Sequence, residues 1–210
     1  YLEFSKICFQ KLKPGGWFLS FSAPRLYHAI AMAVDIAGFE IRDAINWVYT
    51  QNQPKGMSVN RSINTLNLDN GQKEKLRVLY KNHKTPGMKS CYEPICVAMK
   101  PVEGRFIDNE LNFNTGLLNF GEKVGRNKVR ANVVTVNEFD DVYDSNFLVT
   151  KPSKKEKGFS NIHLSVKPLT LIEHLLRIFT KEGSMVIDPF LGSGTTACLL
   201  YTSDAADDEE

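Results

Sequence analysis

The chain has 210 residues, 42% of them hydrophobic and 24% charged, with a net charge of +2. That size and balance suit one soluble globular domain with room for an insertion. No apolar run approaches the roughly 20 residues that a membrane helix needs and no signal peptide is visible, so no membrane partner is expected.

Four cysteines (Cys8, Cys91, Cys96, Cys198) lie far apart without CxxC spacing. This predicts reduced thiols in a cytoplasmic protein and no metal site. The net charge hides an asymmetry. Residues 201–210 carry five acids and no base, and without them the balance rises to +7. Residues 73–105 hold eight Lys or Arg against three acids. Such a stretch suits either a phosphate backbone or a solvated lysine-rich loop.

In chain order, Tyr1, Phe4, Ile7, Cys8 and Leu12 recur at helical spacing over residues 1–13, and Pro14-Gly15-Gly16 stops that helix. Trp17 to Ser22 reads as a buried strand. Pro24 opens a second helix, with Leu26, Ile30, Ala33, Val34 and Ala37 on one face and Gly38 at its end. A second strand is predicted over about 40–50. Residues 51–90 turn polar, with a helix carrying basic residues expected over 67–84. Cys91 to Pro101 reads as a strand in which Ile95, Val97 and Met99 alternate with Cys96, Ala98 and Lys100. Residues 102–158 are glycine-containing, without a sustained period. A long span of that kind inside a compact domain is functional or mobile.

Thr170 and Glu173 have capping-box spacing and open an amphipathic helix with Ile172, Leu175, Leu176 and Phe179 on one face. The helix leads into Ser184–Ala197, SMVIDPFLGSGTTA. Here the apolar run Met185-Val186-Ile187 predicts a buried strand ending in Asp188. The turn Gly192-Ser193-Gly194 and then Thr195-Thr196 predict a helix start. Glycines let the backbone approach a ligand, and the N–H groups of a new helix favour an anionic or carboxylate-bearing one. Thr195 stands where a phosphate-binding P-loop needs Lys, which argues against an ATP site. Ala197 fills the sixth place of GxGxxG, so the dinucleotide match is weak.

The nine residues from Asp188 to Thr196, DPFLGSGTT, resemble the S-adenosylmethionine motif of DNA amino-methyltransferases, which methylate adenine N6 or cytosine N4. Further stretches carry the same resemblance. Asn161-Ile-His163-Leu-Ser-Val-Lys167-Pro168 is similar to the family's N-x-H-x-T-x-K-P element, with Ser165 in place of Thr. Glu93-Pro94-Ile95 with Lys100-Pro101 matches a strand of the family, and LKPGG followed by strand and helix matches the segment after its catalytic motif. Of QNQPK, only Pro54-Lys55 matches the loop that phage-type relatives carry after a Trp-x-Tyr strand.

The resemblance implies a Rossmann-like α/β methyltransferase sheet over residues 1–197, with an antiparallel pair at about 40–50 and 91–100. The loop-rich segments 51–90 and 102–158 would be DNA-recognition segments. The implied cofactor is S-adenosyl-L-methionine and the implied partner is double-stranded DNA. The cofactor residues would be Asn161, His163, Lys167, Pro168, Asp188, Pro189, Phe190, Gly192, Ser193, Gly194, Thr195 and Thr196. Asp188 would reach the methionine ammonium or hold the loop, Phe190 would face adenine or fill core, and Lys167 would meet the cofactor carboxylate or DNA phosphate, or be solvated.

The family's catalytic tetrapeptide, [DNS]PP[YFW], is missing, because the chain has no Pro-Pro; no catalytic residue is assigned. The motif order, with the cofactor motif last, matches the permuted beta type. Carbon-5 cytosine methylation is disfavoured, since no cysteine follows a proline. Tyr1 falls inside a helical pattern, and Cys198 to Glu210 resembles a translated sequencing-adapter read-through. The chain is therefore expected to be a fragment truncated at both ends, with 198–210 a non-native tail. An RNA or protein amine methyltransferase, or a non-catalytic fragment binding the cofactor or nucleic acid, are the alternative functions.

Overall fold

The computed structural model describes residues 1–49, 55–121, 132–134, 151–157, 161, 163 and 165–207. These fall into two compact units, residues 1–50 with 92–210 and residues 51–91.

The larger unit is a sheet covered on both faces by helices. Its strands are β1 (Trp17–Phe21), β2 (Glu40–Val48), β3 (Tyr92–Met99) and the short β4 (Val133–Val134), in the order β1-β3-β2-β4. β3 runs antiparallel to both neighbours, pairing Leu19 with Val97 on one side and Ile45 with Ile95 on the other. The antiparallel β2–β3 pair expected from the sequence is therefore present. β4 pairs parallel with β2 through Asn46 and Trp47.

Side chains of β3 alternate between two cores, as the period of two requires. Ile95 and Val97 join Ile45, Trp47 and Tyr49 under Leu171, Ile172 and Leu175. Cys96 and Ala98 join Phe18, Val34 and Phe39 beneath Phe4, Cys8, Phe9 and Ile30. The strand alternates faces without alternating exposure: Pro94 through Met99 are all buried, because helices close both sides.

The helices covering the second core are α1 (Leu2–Lys11) and α2 (Tyr27–Ile36). Lys100 Nζ donates to the carbonyls of Phe9 and Leu12, both at 2.9 Å, and so satisfies the end of α1. Two face assignments change. Ile7 is exposed. Pro24–Leu26 forms a separate 3-10 turn ahead of α2, which leaves Leu26 exposed while Val34 is fully buried.

The smaller unit holds α3 (Asn60–Asn64) and α4 (Asn70–Leu79) in place of one helix over 67–84. Asp69 decides where α4 begins. Its carboxylate accepts from Gln72 N at 2.9 Å while the Gln72 side chain accepts from Asp69 N at 3.2 Å, a reciprocal cap.

Residues 102–121, expected to be irregular, contain α5 (Phe106–Phe113). It ends at Asn114 in the left-handed conformation (φ 55°). The buried Asn109 amide donates to the carbonyls of Pro14 (3.1 Å) and Thr115 (2.8 Å), pinning α5 to the turn after α1. Residues 122–131 and 135–150, most of the remaining span assigned to DNA recognition, lie outside the described residues.

After the short α6 (Lys154–Lys157) comes α7 (Leu169–Phe179), whose Leu171, Ile172, His174, Leu175 and Ile178 are buried. Its start corrects the sequence reading. Pro168, not a threonine, is the N-cap residue, and Thr170 lies inside the helix. The first amide, Leu169 N, donates to Glu156 Oε1 at 2.9 Å, while Glu173 pairs with Arg177 one turn on. The capping spacing is used instead for an i,i+4 ion pair. The last helix, α8, spans Thr195–Asp207.

Candidate functional site

The chain turns sharply between Asp188 and Thr195. Asp188 organises the turn: its Oδ1 accepts from Phe190 N at 3.0 Å, and its Oδ2 accepts from Thr196 Oγ1 at 2.7 Å. One carboxylate thus ties the start of the turn to the first helical residues of α8. Gly192 (φ 58°) and Gly194 (φ 84°) both adopt left-handed backbone that side chains disfavour. Gly194 N closes the turn on Leu191 O at 2.9 Å.

The two glycines differ in surroundings. A Cβ on Gly192 would lie 3.0 Å from the His163 ring, whereas one on Gly194 would meet nothing within 4 Å. The close approach permitted by Gly192 is to a protein side chain. Gly194 faces open space at the N-terminus of α8, where the first amides lack intrahelical partners.

The segment 161–168 lies against this turn. Asn161 Oδ1 accepts from His163 N at 2.9 Å, and His163 Nδ1 accepts from Ser165 N at 3.2 Å, so the histidine is oriented from both sides. Thr195 Oγ1 donates to Lys167 O at 3.4 Å. The Lys167 ammonium turns the other way. It donates to Glu93 Oε2 at 2.6 Å and lies 5.0 Å from the Phe21 ring centroid and 5.6 Å from that of Trp47. Pro168 is fully buried as α7 begins.

Asn161, His163, Lys167, Asp188, Gly192, Thr195 and Thr196 are thus drawn into one connected arrangement. Pro189 and Ser193 are exposed beside it. Phe190 is 72% exposed, with its ring edge-on to Phe4 at 5.1 Å, so it fills no core. Glu93, which the sequence placed only on a family-like strand, joins the arrangement through Lys167. The signal was present in the Glu-Pro-Ile run, but its partner lies 74 positions away.

The strand expected at 185–187 is not formed. Met185 is 90% exposed and Ile187 70%, and neither pairs with a strand among the described residues. An apolar run becomes a buried strand only where a neighbour supplies backbone partners. The outer edge of β1 has no strand partner among the described residues, and 185–187 does not pair with it.

Chemically, the turn offers a fixed carboxylate, an open glycine and a helix N-terminus within a few residues of one another. Those groups suit a zwitterionic ligand such as an amino acid moiety. The described residues contain no cluster of side chains able to hold a metal ion. None of their helices is long and apolar enough to cross a membrane.

The chain is 25% identical over 191 residues to the Type II methyltransferase M.HindIII of Haemophilus influenzae, a match covering 90% of the chain and 56% of that protein. It therefore spans little more than half the length of that relative. A shorter match, 43% identical over 44 residues, covers 21% of the chain and 16% of the Type II methyltransferase M2.DpnII of Streptococcus pneumoniae. Among solved structures, the M1.HpyAVI-SAM complex superposes with a TM-score of 0.55 at 19% identity, covering 97% of this chain and 72% of that one. The sequence profile of the DNA methylase family (N6_N4_Mtase) matches residues 1–200, and the chain belongs to that family.

Proposed function

We propose that this chain forms the cofactor-binding part of an enzyme that transfers a methyl group from S-adenosyl-L-methionine to an exocyclic amine of a DNA base, adenine N6 or cytosine N4. The observation that carries the reading is the turn at 188–196. There Asp188 holds the loop by both carboxylate oxygens, while Gly194 stays open at the start of α8. The relatives support it: two are Type II methyltransferases, and the superposed structure is a complex with the same cofactor.

When bound, the sulfonium supplies an activated methyl group for direct displacement by the amine. The residues of the chain do the holding. The amides at the start of α8 would hold the cofactor carboxylate, and each Asp188 oxygen would keep a lone pair for the ammonium. His163 fixes the loop at Gly192. A flipped-out base would be required to reach the amine. Residues 1–197 are assigned to the methyltransferase domain, and 51–90 and 102–158 to contacts with double-stranded DNA.

The test uses a protein carrying this chain, cofactor labelled in the methyl group, and duplex DNA or RNA. Labelled N6-methyladenine or N4-methylcytosine in DNA digests is the expected result and identifies the base. Label in RNA or protein alone, or none in DNA, overturns the reading.

A further inference from the structure

We infer that Glu93 is a positioning residue: its ion pair with Lys167 clasps the cofactor loop to the sheet and sets cofactor affinity without contacting the cofactor. The inference rests on the cofactor reading above.

Three layers are in contact. Glu93 stands on β3, paired in register with Trp47 of β2. Lys167 reaches it at 2.6 Å, with the two side chains only 22% and 25% exposed. The rings of Phe21 and Trp47 flank the ammonium. A lysine between two aromatic faces and a carboxylate is held in direction as well as in charge. The backbone carbonyl of Lys167 takes the Thr195 hydroxyl, and the His163 ring, four residues earlier, abuts Gly192. The segment 161–168 is therefore a wedge between the sheet and the glycine turn. Glu93 is the sheet's hold on that wedge.

A second lysine repeats the device. Lys151 Nζ sits 4.1 Å from the Tyr49 ring centroid, next to Trp47 on the same strand end. The ends of β1 and β2 thus present Phe21, Trp47 and Tyr49 to cations from the late segments. This arrangement argues against Lys167 as a direct ligand, since its ammonium is already committed.

The two roles separate by experiment. Affinity for S-adenosylmethionine is measured by calorimetry for the wild type, Glu93→Gln, Lys167→Met, the double variant and Lys167→Arg, with circular dichroism and melting temperature as folding controls. A clasp predicts that each neutral single variant weakens binding on the order of tenfold, that the double is no worse than either single, and that Lys167→Arg restores most of the loss. A direct ligand predicts that Glu93→Gln frees the lysine and leaves affinity unchanged or tighter, which would overturn the clasp.

Amide hydrogen exchange in the absence of cofactor gives a readout that does not depend on binding. Glu93→Gln should speed exchange at His163, Ser165 and Gly194, whose amides are hydrogen-bonded, while leaving α1 and α2 unchanged. Unaltered exchange at those three amides rejects the clasp. A folded wild type that binds no S-adenosylmethionine rejects the cofactor reading, and exchange alone then decides the clasp.

Discussion

Cys96 occupies the middle of β3 with no exposed surface, facing Phe18, Val34 and Phe39. Burial pushes its thiol from the ordinary value of 9.0 up to about 11. The charged form is therefore suppressed in the folded chain, and Cys96 is no nucleophile. The sign of the linkage follows. The folded state keeps the thiol proton to higher pH than the unfolded state, so this contribution is intact below pH 9 and is lost as pH rises towards about 11. Denaturant titrations at pH 8 and pH 10.5 should show a Cys96→Ala variant losing less stability across that interval than the wild type. Equal losses would contradict the burial argument. The alternation of Cys96 with Ile95 and Val97 was legible, but its burial was not, because helices close both faces of the strand. The commitment of Lys167 to Glu93 was not, because an ion pair across 74 positions leaves no local pattern.

At the scale of elements, what the sequence shows depends on where each element finds its partners. β1, β2, β3 and α7 were readable because their periods, two or 3.6 residues, are set by faces that must be buried. α7 is the clearest. Leu171, Ile172 and Leu175 enter the core built on Trp47 and Ile95. Leu175→Ala should cost about 2–5 kcal/mol, measured by urea unfolding. A cost under about 1 kcal/mol would mean that α7 does not seal that face. The misread elements each turned on competition. Thr170 and Glu173 have capping spacing, but a proline held extended backbone two positions earlier and Arg177 took the glutamate. Met185-Val186-Ile187 has strand composition, yet strand formation is decided by a neighbour that sequence cannot show. α5 escaped because its eight residues are too few to establish a period, and it is fixed instead by one buried asparagine.

For the whole molecule, charge is unevenly divided. The unit at 51–91 carries eight Lys or Arg and two acids. Among its described cations, Arg77 is paired with Glu74 and Asn64, and Lys73 donates to the Asn64 carbonyl. If this unit lies along DNA, as proposed, each lysine on a phosphate adds about 0.9 to the slope of log affinity against log salt. Replacing Lys75, Lys81 and Lys84 together by Ala should lower that slope by about 3 in anisotropy titrations of a duplex, with cofactor affinity unaltered. An unchanged slope would exclude this unit from the contact.

The register of the sheet gives that unit a further property. Val48 and Tyr92, which bracket it in the chain, are direct partners in the β2–β3 ladder. Everything between them leaves and re-enters the sheet at a single rung, as a hairpin turn does. Because closure entropy grows only with the logarithm of length, so long an excursion costs only about 2 kcal/mol more than a four-residue turn. Evolution can therefore exchange the whole segment between relatives as a cassette with two neighbouring cut points, while the ladder stays in register.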